Sequence, residues 1–370
     1  MADLKVNILG IQFPNPIWTA AGPGGASADK LLEAARGGAG ALVSKTISQK
    51  PARVPIPNIS LPFPGSLINA ELWSEVDYHR FLEEEFPRAR VAGIPIIASV
   101  GYSPEDLSVL GKQLNEKDLV DAVEFSIHYV GKDISNLIKT AEALRTVFDG
   151  PVLAKFSPSI SEIRSAVKAL DPLVDGFVAI NSVGPALDFD IYTRRPLMGS
   201  GDGRGWLSGR AILPIGLHFV ATIAMETDKP VIGVGGIRTV EDVIKYIMAG
   251  ASAVQVCSLA VLKGQQVYGQ LAEQLSRWMD KNGYTGVSDL RAAFLKREKK
   301  PLYYYGDGTQ LYPEIVYEKC RFCDMCVNAC IHGAIQFENK IYDLDRNKCV
   351  SCGLCVSVCP WNALSMTEYP

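Results

Sequence analysis

The segment 230–258, PVIGVGGIRTVEDVIKYIMAGASAVQVCS, decides the fold of this chain. A short apolar run, a helical stretch and a second short apolar run follow one another within it. Thr239 precedes the helical stretch as a suitable N-cap, and Gly250 lies just past its end. The segment therefore predicts a strand, a crossover helix and a second strand parallel to the first. The apolar residues of the helix follow the i, i+3, i+4, i+7, i+8 spacing: Val240, Val243, Ile244, Ile247 and Met248.

The same alternation extends over residues 15–282. Eight runs read as buried strands: PIWTAAG, ALVSKT, IPIIASVG, VEFSIH, PVLAKFSP, GFVAIN, PVIGVGG and AVQVCS. Each is followed by a connection long enough to cross over, which predicts an α/β fold with a parallel (β/α)8 TIM barrel. A doubly wound open sheet is the alternative. It would need a glycine-rich phosphate loop after the first strand, and AAGPGG lacks the G-x-G-x-x-G spacing.

Composition restricts the class of protein and its partners. The chain has 370 residues, enough for a barrel of roughly 250 residues and an appendage. A net charge of −3 argues against nucleic acid or an anionic membrane as the partner. The start, MADLKVNILG, has no basic segment followed by an apolar core, and the longest apolar stretch, AILPIGLHFVATIAM, is too short to span a bilayer. We expect a cytoplasmic protein.

One connection, 182–212, is unusually long and rich in glycine. Long loops at the carboxyl end of barrel strands commonly act as lids or bind ligands. A disordered insertion is the alternative. The glycines of this loop are Gly184, Gly199, Gly201, Gly203, Gly205 and Gly209.

The C-terminal block contains eight of the nine cysteines in an internal repeat. KCRFCDMCVNAC and KCVSCGLCVSVCP each have the C-x2-C-x2-C-x3-C spacing of two-cluster ferredoxins, in which the fourth cysteine ligates the other cluster. Zinc is the alternative, although zinc ribbons rarely use such crossed triads. One [4Fe–4S] cluster would take Cys320, Cys323, Cys326 and Cys359, and the second would take Cys349, Cys352, Cys355 and Cys330.

The spacing of these blocks predicts three parts. These are a barrel domain at 1–282, a connector at 283–316 and a ferredoxin-like domain with two [4Fe–4S] clusters at 317–370. The basic run 296–300, KREKK, either docks an acidic redox partner or is a solvated helix face. Because such clusters carry single electrons, they imply a second cofactor that collects two, and flavin is the usual one.

The loops after strands seven and eight of a TIM barrel often bind a phosphate. Here Gly235 and Gly236 allow close backbone approach, and the amides of Cys257 and Ser258 would complete the cradle. Cys257 is then a small residue at a turn and not a nucleophile.

The motifs ALVSKTIS, LINAELWSE, VLAKFSP, INSVG, GWLSG, VIGVGGI and AVQVCS occur in this order before the cysteine repeat. Together they resemble the dihydroorotate dehydrogenase superfamily, and most closely the pyrimidine-reducing part of dihydropyrimidine dehydrogenase. The resemblance implies FMN on top of the barrel and oxidoreductase chemistry on a CH–CH bond. It assigns substrate binding to Asn69, Glu71, Trp73, Asn181 and Ser182. It assigns FMN binding to Ala20, Ala21, Gly22, Lys45, Ser99, Ser126, Lys155, Gly209, Gly235, Gly236, Cys257 and Ser258.

The fourth strand departs from that family. Its stretch VEFSIHYVG, 123–131, stands where the family has Asn-x-Ser-Cys-Pro, whose cysteine moves the substrate proton. Ser126, His128 and Tyr129 replace the asparagine, serine and cysteine.

Reference pKa values of about 10 for tyrosine and about 6.5 for histidine favour protonating a substrate. We hypothesise that Tyr129, or His128, donates the proton and that Lys45 stabilises negative charge on the reduced flavin. Plain packing at the barrel top is the alternative for the His–Tyr pair.

The sequence therefore predicts an enzyme that reduces an activated C=C bond of a cyclic amide, imide or other carbonyl-conjugated substrate. Electrons would pass through the two clusters to FMN. The alternatives are a true dihydropyrimidine or dihydroorotate dehydrogenase with a substituted proton donor, and an electron-transfer subunit of a larger complex. No dinucleotide-binding domain is evident, so a ferredoxin or a separate FAD/NAD(P)H subunit would supply electrons, in a homo- or hetero-oligomer.

Overall fold

The computed structural model describes residues 2–126, 134–296 and 311–368. The chain divides into two compact units, Met1–Arg297 and Glu298–Pro370.

The first unit is built on eight parallel strands in a single sheet. Their order is β1-β8-β7-β6-β5-β4-β3-β2, so the strands from β2 to β8 each pair with the next one in the sequence, and β8 also pairs with β1. This topology confirms the predicted (β/α)8 barrel. The strands are β1 (Ile17–Thr19), β2 (Leu42–Val43), β3 (Ile96–Val100), β4 (Ala122–Ser126), β5 (Val152–Phe156), β6 (Gly176–Ala179), β7 (Val231–Val234) and β8 (Ala253–Val256).

Thr19 links the two ends of this sheet, β1 and β2. Its backbone N–H donates to the carbonyl of Ala41 at 3.1 Å. Its buried hydroxyl donates to the Val43 carbonyl at 3.2 Å and accepts from the Val43 N–H at 2.6 Å. One side chain therefore supplies contacts where regular strand pairing is missing, and the barrel is nearly closed.

Amphipathic helices cover the outside of the barrel. The helix Val240–Met248 has the predicted start, because the Asp242 carboxylate accepts hydrogen bonds from the N–H groups of Arg238 and Thr239 at 3.0 and 3.1 Å. Short helical turns within 78–92 connect β2 to β3. The helices are α1 (Ala28–Arg36), α2 (Pro104–Lys117), α3 (Ile134–Arg145), α4 (Ile163–Leu170), α5 (Leu213–Ala224), α6 (Val240–Met248), α7 (Ser258–Lys263) and α8 (Val267–Lys281).

Much of the long loop forms ordered structure. Val183–Ala186 and Gly205–Gly209 join Ile59–Phe63 and Ser66–Asn69 in a four-stranded antiparallel sheet. Trp206 pairs with Asn69 in its register. The loop is therefore not a disordered insertion, and it stays a candidate for binding a ligand.

The described part of the second unit contains one β-hairpin, one further antiparallel strand pair and two short helices. Leu311–Ile315 pairs with Leu364–Glu368, and Ile335–Glu338 pairs with Ile341–Leu344. The helices Met325–Ala329 and Leu354–Ser357 each contain the third cysteine of a triad, Cys326 and Cys355 respectively. Their core contains Ile335, Cys355 and Leu364.

The described parts of the predicted connector 283–316 make contacts within the two units. Val287 and Leu290 are buried in the barrel unit, and the Ala292 N–H donates to the carbonyl of Ile247 at 3.0 Å. The strand Leu311–Ile315 belongs to the second unit. Most of the basic run 296–300 lies outside the described residues. No helix in the described ranges has the length and apolarity needed to cross a membrane.

Candidate active site

A cleft lies at the carboxyl ends of the barrel strands, beside the four-stranded sheet. Active sites of TIM barrels form at this end. The cleft brings together most of the residues that the sequence assigns to cofactor and substrate. These are Ala20, Ala21, Gly22, Lys45, Asn69, Glu71, Ser126, Lys155, Asn181, Ser182, Gly209, Gly235, Gly236, Cys257 and Ser258.

Two predicted residues do not line this cleft. Ser99 is fully buried in β3, and its hydroxyl lies 2.9 Å from that of Thr46. Trp73 donates from its indole N–H to the carbonyl of Lys50 at 2.6 Å. Its ring packs edge-on against Tyr102, with 5.6 Å between centroids. Tyr102 lines the cleft itself, as does Trp206, so both aromatic residues are placed to contact a ligand.

The predicted proton donors, His128 and Tyr129, fall in 127–133, outside the described residues. Their neighbour Ser126 is buried at the end of β4. Asn181, at the end of β6, donates from Nδ2 to the Ser126 hydroxyl at 3.1 Å. This bond fixes the Asn181 amide where the fourth strand opens into the cleft.

Lys45 faces two carboxylates. Its ammonium lies 2.8 Å from Glu71 and 2.7 Å from Glu75. Asn58 holds the other Glu71 oxygen by donating from Nδ2 at 2.6 Å. Burial would raise the pKa of Glu75, but the hydrogen bond from Lys45 brings that pKa below its usual value. This side of the cleft therefore has two negative charges for one positive charge.

Lys155 belongs to a second buried network. Its ammonium donates to Glu124 at 3.0 Å and to the Gln255 carbonyl oxygen at 3.1 Å. Gln255 in turn donates from Nε2 to the other Glu124 oxygen at 2.5 Å. All three side chains are buried. Lys155 is thus fixed in one position at the floor of the cleft.

The opposite end of the cleft is lined by backbone. Gly235 and Gly236 have φ values of +121° and +78°, and a Cβ on Gly236 would lie 2.6 Å from the backbone nitrogen of Leu213. Glycine is needed there, which leaves the backbone accessible to a phosphate. The Ser258 hydroxyl donates to that of Ser208 at 3.1 Å. These residues fit the phosphate end of a mononucleotide.

Cys257 stands between the cradle and Lys155. Burial raises the pKa of its thiol to about 11, although the Lys155 ammonium acts in the opposite direction. The thiol is therefore protonated at neutral pH. This agrees with a packing role and not with that of a nucleophile.

The cysteines of the second unit line two separate cavities. Among the described residues, no three His, Cys, Asp or Glu side chains are close enough to hold a single metal ion. Two sets of four thiols fit two iron–sulfur clusters, each of which is held by four cysteine thiolates. One cavity is lined by Cys320, Cys323, Cys326 and Cys359, and the other by Cys330, Cys349, Cys352 and Cys355.

Several residues that line the cleft, or hold the residues that line it, were not predicted from the sequence. Glu124 and Gln255 interrupt the apolar strands VEFS and AVQV. A polar residue inside a buried strand requires a partner, and that signal was available. Tyr102, Asn58 and Glu75 come from loops whose folding brings distant positions together, and no local pattern marks them.

A nearly closed parallel barrel with a mononucleotide-type cleft, followed by a small unit with two cysteine-lined cavities, defines a class of flavin- and iron–sulfur-dependent oxidoreductases. Comparison with known sequences agrees. The profile of the dihydroorotate dehydrogenase family matches residues 3–279, and that of the 4Fe-4S dicluster domain matches residues 319–366. The chain belongs to the dihydroorotate dehydrogenase family.

Individual relatives support this assignment. The catalytic subunit of dihydroorotate dehydrogenase B (NAD(+)) from Pyrococcus abyssi is 34% identical over 304 residues, which is 79% of this chain and 99% of the relative. The subunit of that name from Thermoplasma acidophilum is 34% identical over 300 residues, 78% of this chain and 98% of the relative. The Methanocaldococcus jannaschii subunit is 31% identical over 296 residues, which is 76% of this chain and 95% of the relative.

Proposed function

We propose that this chain interconverts the saturated and unsaturated forms of a cyclic amide or imide at a C–C bond next to a carbonyl. FMN would occupy the barrel cleft, and two [4Fe–4S] clusters in the C-terminal unit would relay electrons to or from it. FMN supplies the ability to take up two electrons singly and pass them on as a pair. Family membership supports the reaction type, and the two sets of four cysteines support the two clusters.

The assignment of residues follows from the cleft. The glycine-lined end, with Gly235, Gly236 and Ser258, would bind the phosphate of FMN. Lys155 would lie under the ring system, where an ammonium favours negative charge on the reduced cofactor. Asn69 and Asn181 would bind the N–H and C=O edge of the substrate, because an amide offers both a donor and an acceptor.

The charge around Lys45 carries the proposal for the substrate. Its ammonium is paired with Glu71 and Glu75, so it is already neutralised before any ligand arrives. A substrate carboxylate placed there would meet one excess negative charge. Because Glu75 is half exposed, solvent screens this repulsion, which amounts to about 1 kcal/mol at 4 Å in water. We therefore favour an uncharged ring, in agreement with the resemblance to dihydropyrimidine dehydrogenase, which stays a prediction.

Dihydroorotate is the second candidate substrate. The relatives are named for it, and their similarity extends over nearly their whole length. Dihydroorotate carries a carboxylate on its ring, so the two candidates differ in charge and can be separated directly. For the proton step, Tyr129 and His128 remain the proposed donors.

Anaerobic flavin reoxidation tests the proposal. The purified protein is reduced, mixed with uracil or orotate, and followed by flavin absorbance. Rapid reoxidation by uracil supports the uncharged substrate class, whereas preferential reoxidation by orotate supports dihydroorotate dehydrogenase. A protein without bound FMN would refute both. The electron donor would be a ferredoxin or an FAD/NAD(P)H subunit, bound in a homo- or hetero-oligomer in the cytoplasm.

A further inference from the structure

Glu124 is a fully buried carboxylate that does not line the cleft. In the pairing of β4 with β5, Ser126 lies opposite Lys155 and Glu124 lies opposite Leu153. Glu124 therefore stands two residues below the level of Lys155, inside the barrel. Glu124 can therefore affect a ligand of the cleft in two ways, by holding Lys155 and Gln255, which do line it, and through its own charge.

The hydrogen bonds fix how Lys155 presents its charge. An ammonium has three N–H donors. Two of these are engaged, by Glu124 at 3.0 Å and by Gln255 at 3.1 Å. Because both partners hold the ammonium, the third donor is left for the cleft. A charge-assisted bond to Glu124 makes this arrangement more rigid than a neutral one would.

Stability does not explain this pair well. Removing two charges from water costs several kcal/mol per ion, and well-packed apolar residues of similar volume are often equally or more stable. Three ordinary apolar side chains from β4, β5 and β8 would fill the same space in the barrel. The network is better explained by its effect on the ligand that binds in the cleft above Lys155.

We propose that Glu124 is a positioning residue that holds Lys155 and Gln255 beneath the flavin ring and lowers the reduction potential of the flavin. This inference rests on the proposed function, in that FMN occupies the cleft. Reduction adds negative charge to a flavin, which Lys155 stabilises. The Glu124 carboxylate opposes that stabilisation because it places a negative charge on the same side. The reduced flavin is consequently a stronger reductant.

The variant Glu124→Gln tests this proposal, since it retains hydrogen-bonding groups and removes the charge. The readout is the FMN reduction potential, measured anaerobically by equilibration with redox dyes. We expect at least about a tenfold shift of the two-electron equilibrium toward reduced FMN, which is about 30 mV upward. Lys155→Met should shift it in the opposite direction, and the double variant should lie between the two single variants. Glu84→Gln, on the exposed face of the 78–92 segment, is the matched control.

Several outcomes overturn the proposal. An unchanged or lower potential in Glu124→Gln with FMN bound would do so. If that variant does not fold, the double variant decides the question, because it removes the Glu124 charge where the Lys155 charge is also absent, and a potential no higher than that of Lys155→Met contradicts the inference. A chain that binds no FMN refutes the proposed function and this inference together. Shifted potentials in a protein that reduces neither uracil nor orotate would refute only the proposed substrate.

Discussion

The Lys45 ammonium lies 2.8 Å from the Glu71 carboxylate, and both side chains line the cleft. This contact joins the end of β2 to the loop that follows the strand Ser66–Asn69. It places a fixed negative charge next to a residue that would otherwise attract anionic ligands. The choice between a carboxylate-bearing ring and an uncharged ring therefore depends on this pair.

Glu71→Gln should improve the binding of orotate. The substitution leaves Lys45 with one carboxylate partner, Glu75, and removes the excess negative charge. We expect the affinity for orotate to rise about tenfold, which corresponds to about 1.4 kcal/mol, while the affinity for uracil does not rise. Binding is measured from the perturbation of the flavin spectrum in the oxidised protein.

The control for this experiment is Glu84→Gln, which removes an exposed carboxylate paired with Arg80. It should leave the affinity for orotate unchanged. Equal affinities for orotate in the wild type and in Glu71→Gln would show that the Glu71 charge does not select the substrate.

Asn181→Ala should impair catalysis more than it impairs folding. The amide donates to Ser126 at 3.1 Å and lines the cleft, so its loss leaves buried polar groups without a partner. Such a loss costs about 1–3 kcal/mol, and kcat/KM should fall about 10- to 100-fold. Asn115→Ala, which removes an exposed hydrogen bond to Asp149, is the control. If both variants have wild-type kcat/KM, Asn181 does not bind the substrate.

Tyr129→Phe and His128→Ala address the proton donor. General acid catalysis contributes about 10²- to 10⁴-fold, so one of the two variants should slow flavin reoxidation by substrate within that range. Reduction of the flavin by the electron donor should stay unchanged, because no substrate proton moves in that step. Stopped-flow absorbance under anaerobic conditions separates the two half-reactions.

The control for the proton donor is Tyr192→Phe, which alters a highly exposed tyrosine. Wild-type reoxidation rates in both Tyr129→Phe and His128→Ala would mean that the pair only packs at the barrel top.

The barrel could be predicted from the sequence because eight apolar runs and amphipathic helices are local patterns. Most residues of the cleft could also be predicted, since strand ends in a parallel barrel converge at one end. Ser99 and Trp73 could not be placed correctly. The orientation of Ser99 depends on its contact with Thr46, and that of Trp73 depends on its contact with Tyr102. Both partners are distant in the sequence, and no local pattern marks them.

The charge balance of the cleft could not be predicted from the sequence either. Lys45 and Lys155 were predicted as cations near the flavin, yet each has a carboxylate partner in the structure. Glu75 reaches Lys45 through the folding of the 70–76 loop, and Glu124 reaches Lys155 across two strands. These are tertiary contacts, and no local spacing encodes them.

Crossed ligation of the two clusters gives the sharpest test of the C-terminal unit. Cys359 belongs to the second motif but lines the cavity of the first, with Cys320, Cys323 and Cys326. Cys359→Ala should therefore disrupt the cluster of the first motif and spare that of the second. Iron should fall from about eight to about four atoms per chain, as measured by chemical iron analysis and electron paramagnetic resonance of the reduced protein.

Cys257→Ser, in the barrel, should leave the iron content unchanged. If Cys359→Ala instead removes the signal that Cys352→Ala removes, the ligands are not crossed and the arrangement of the two clusters proposed for this chain is wrong.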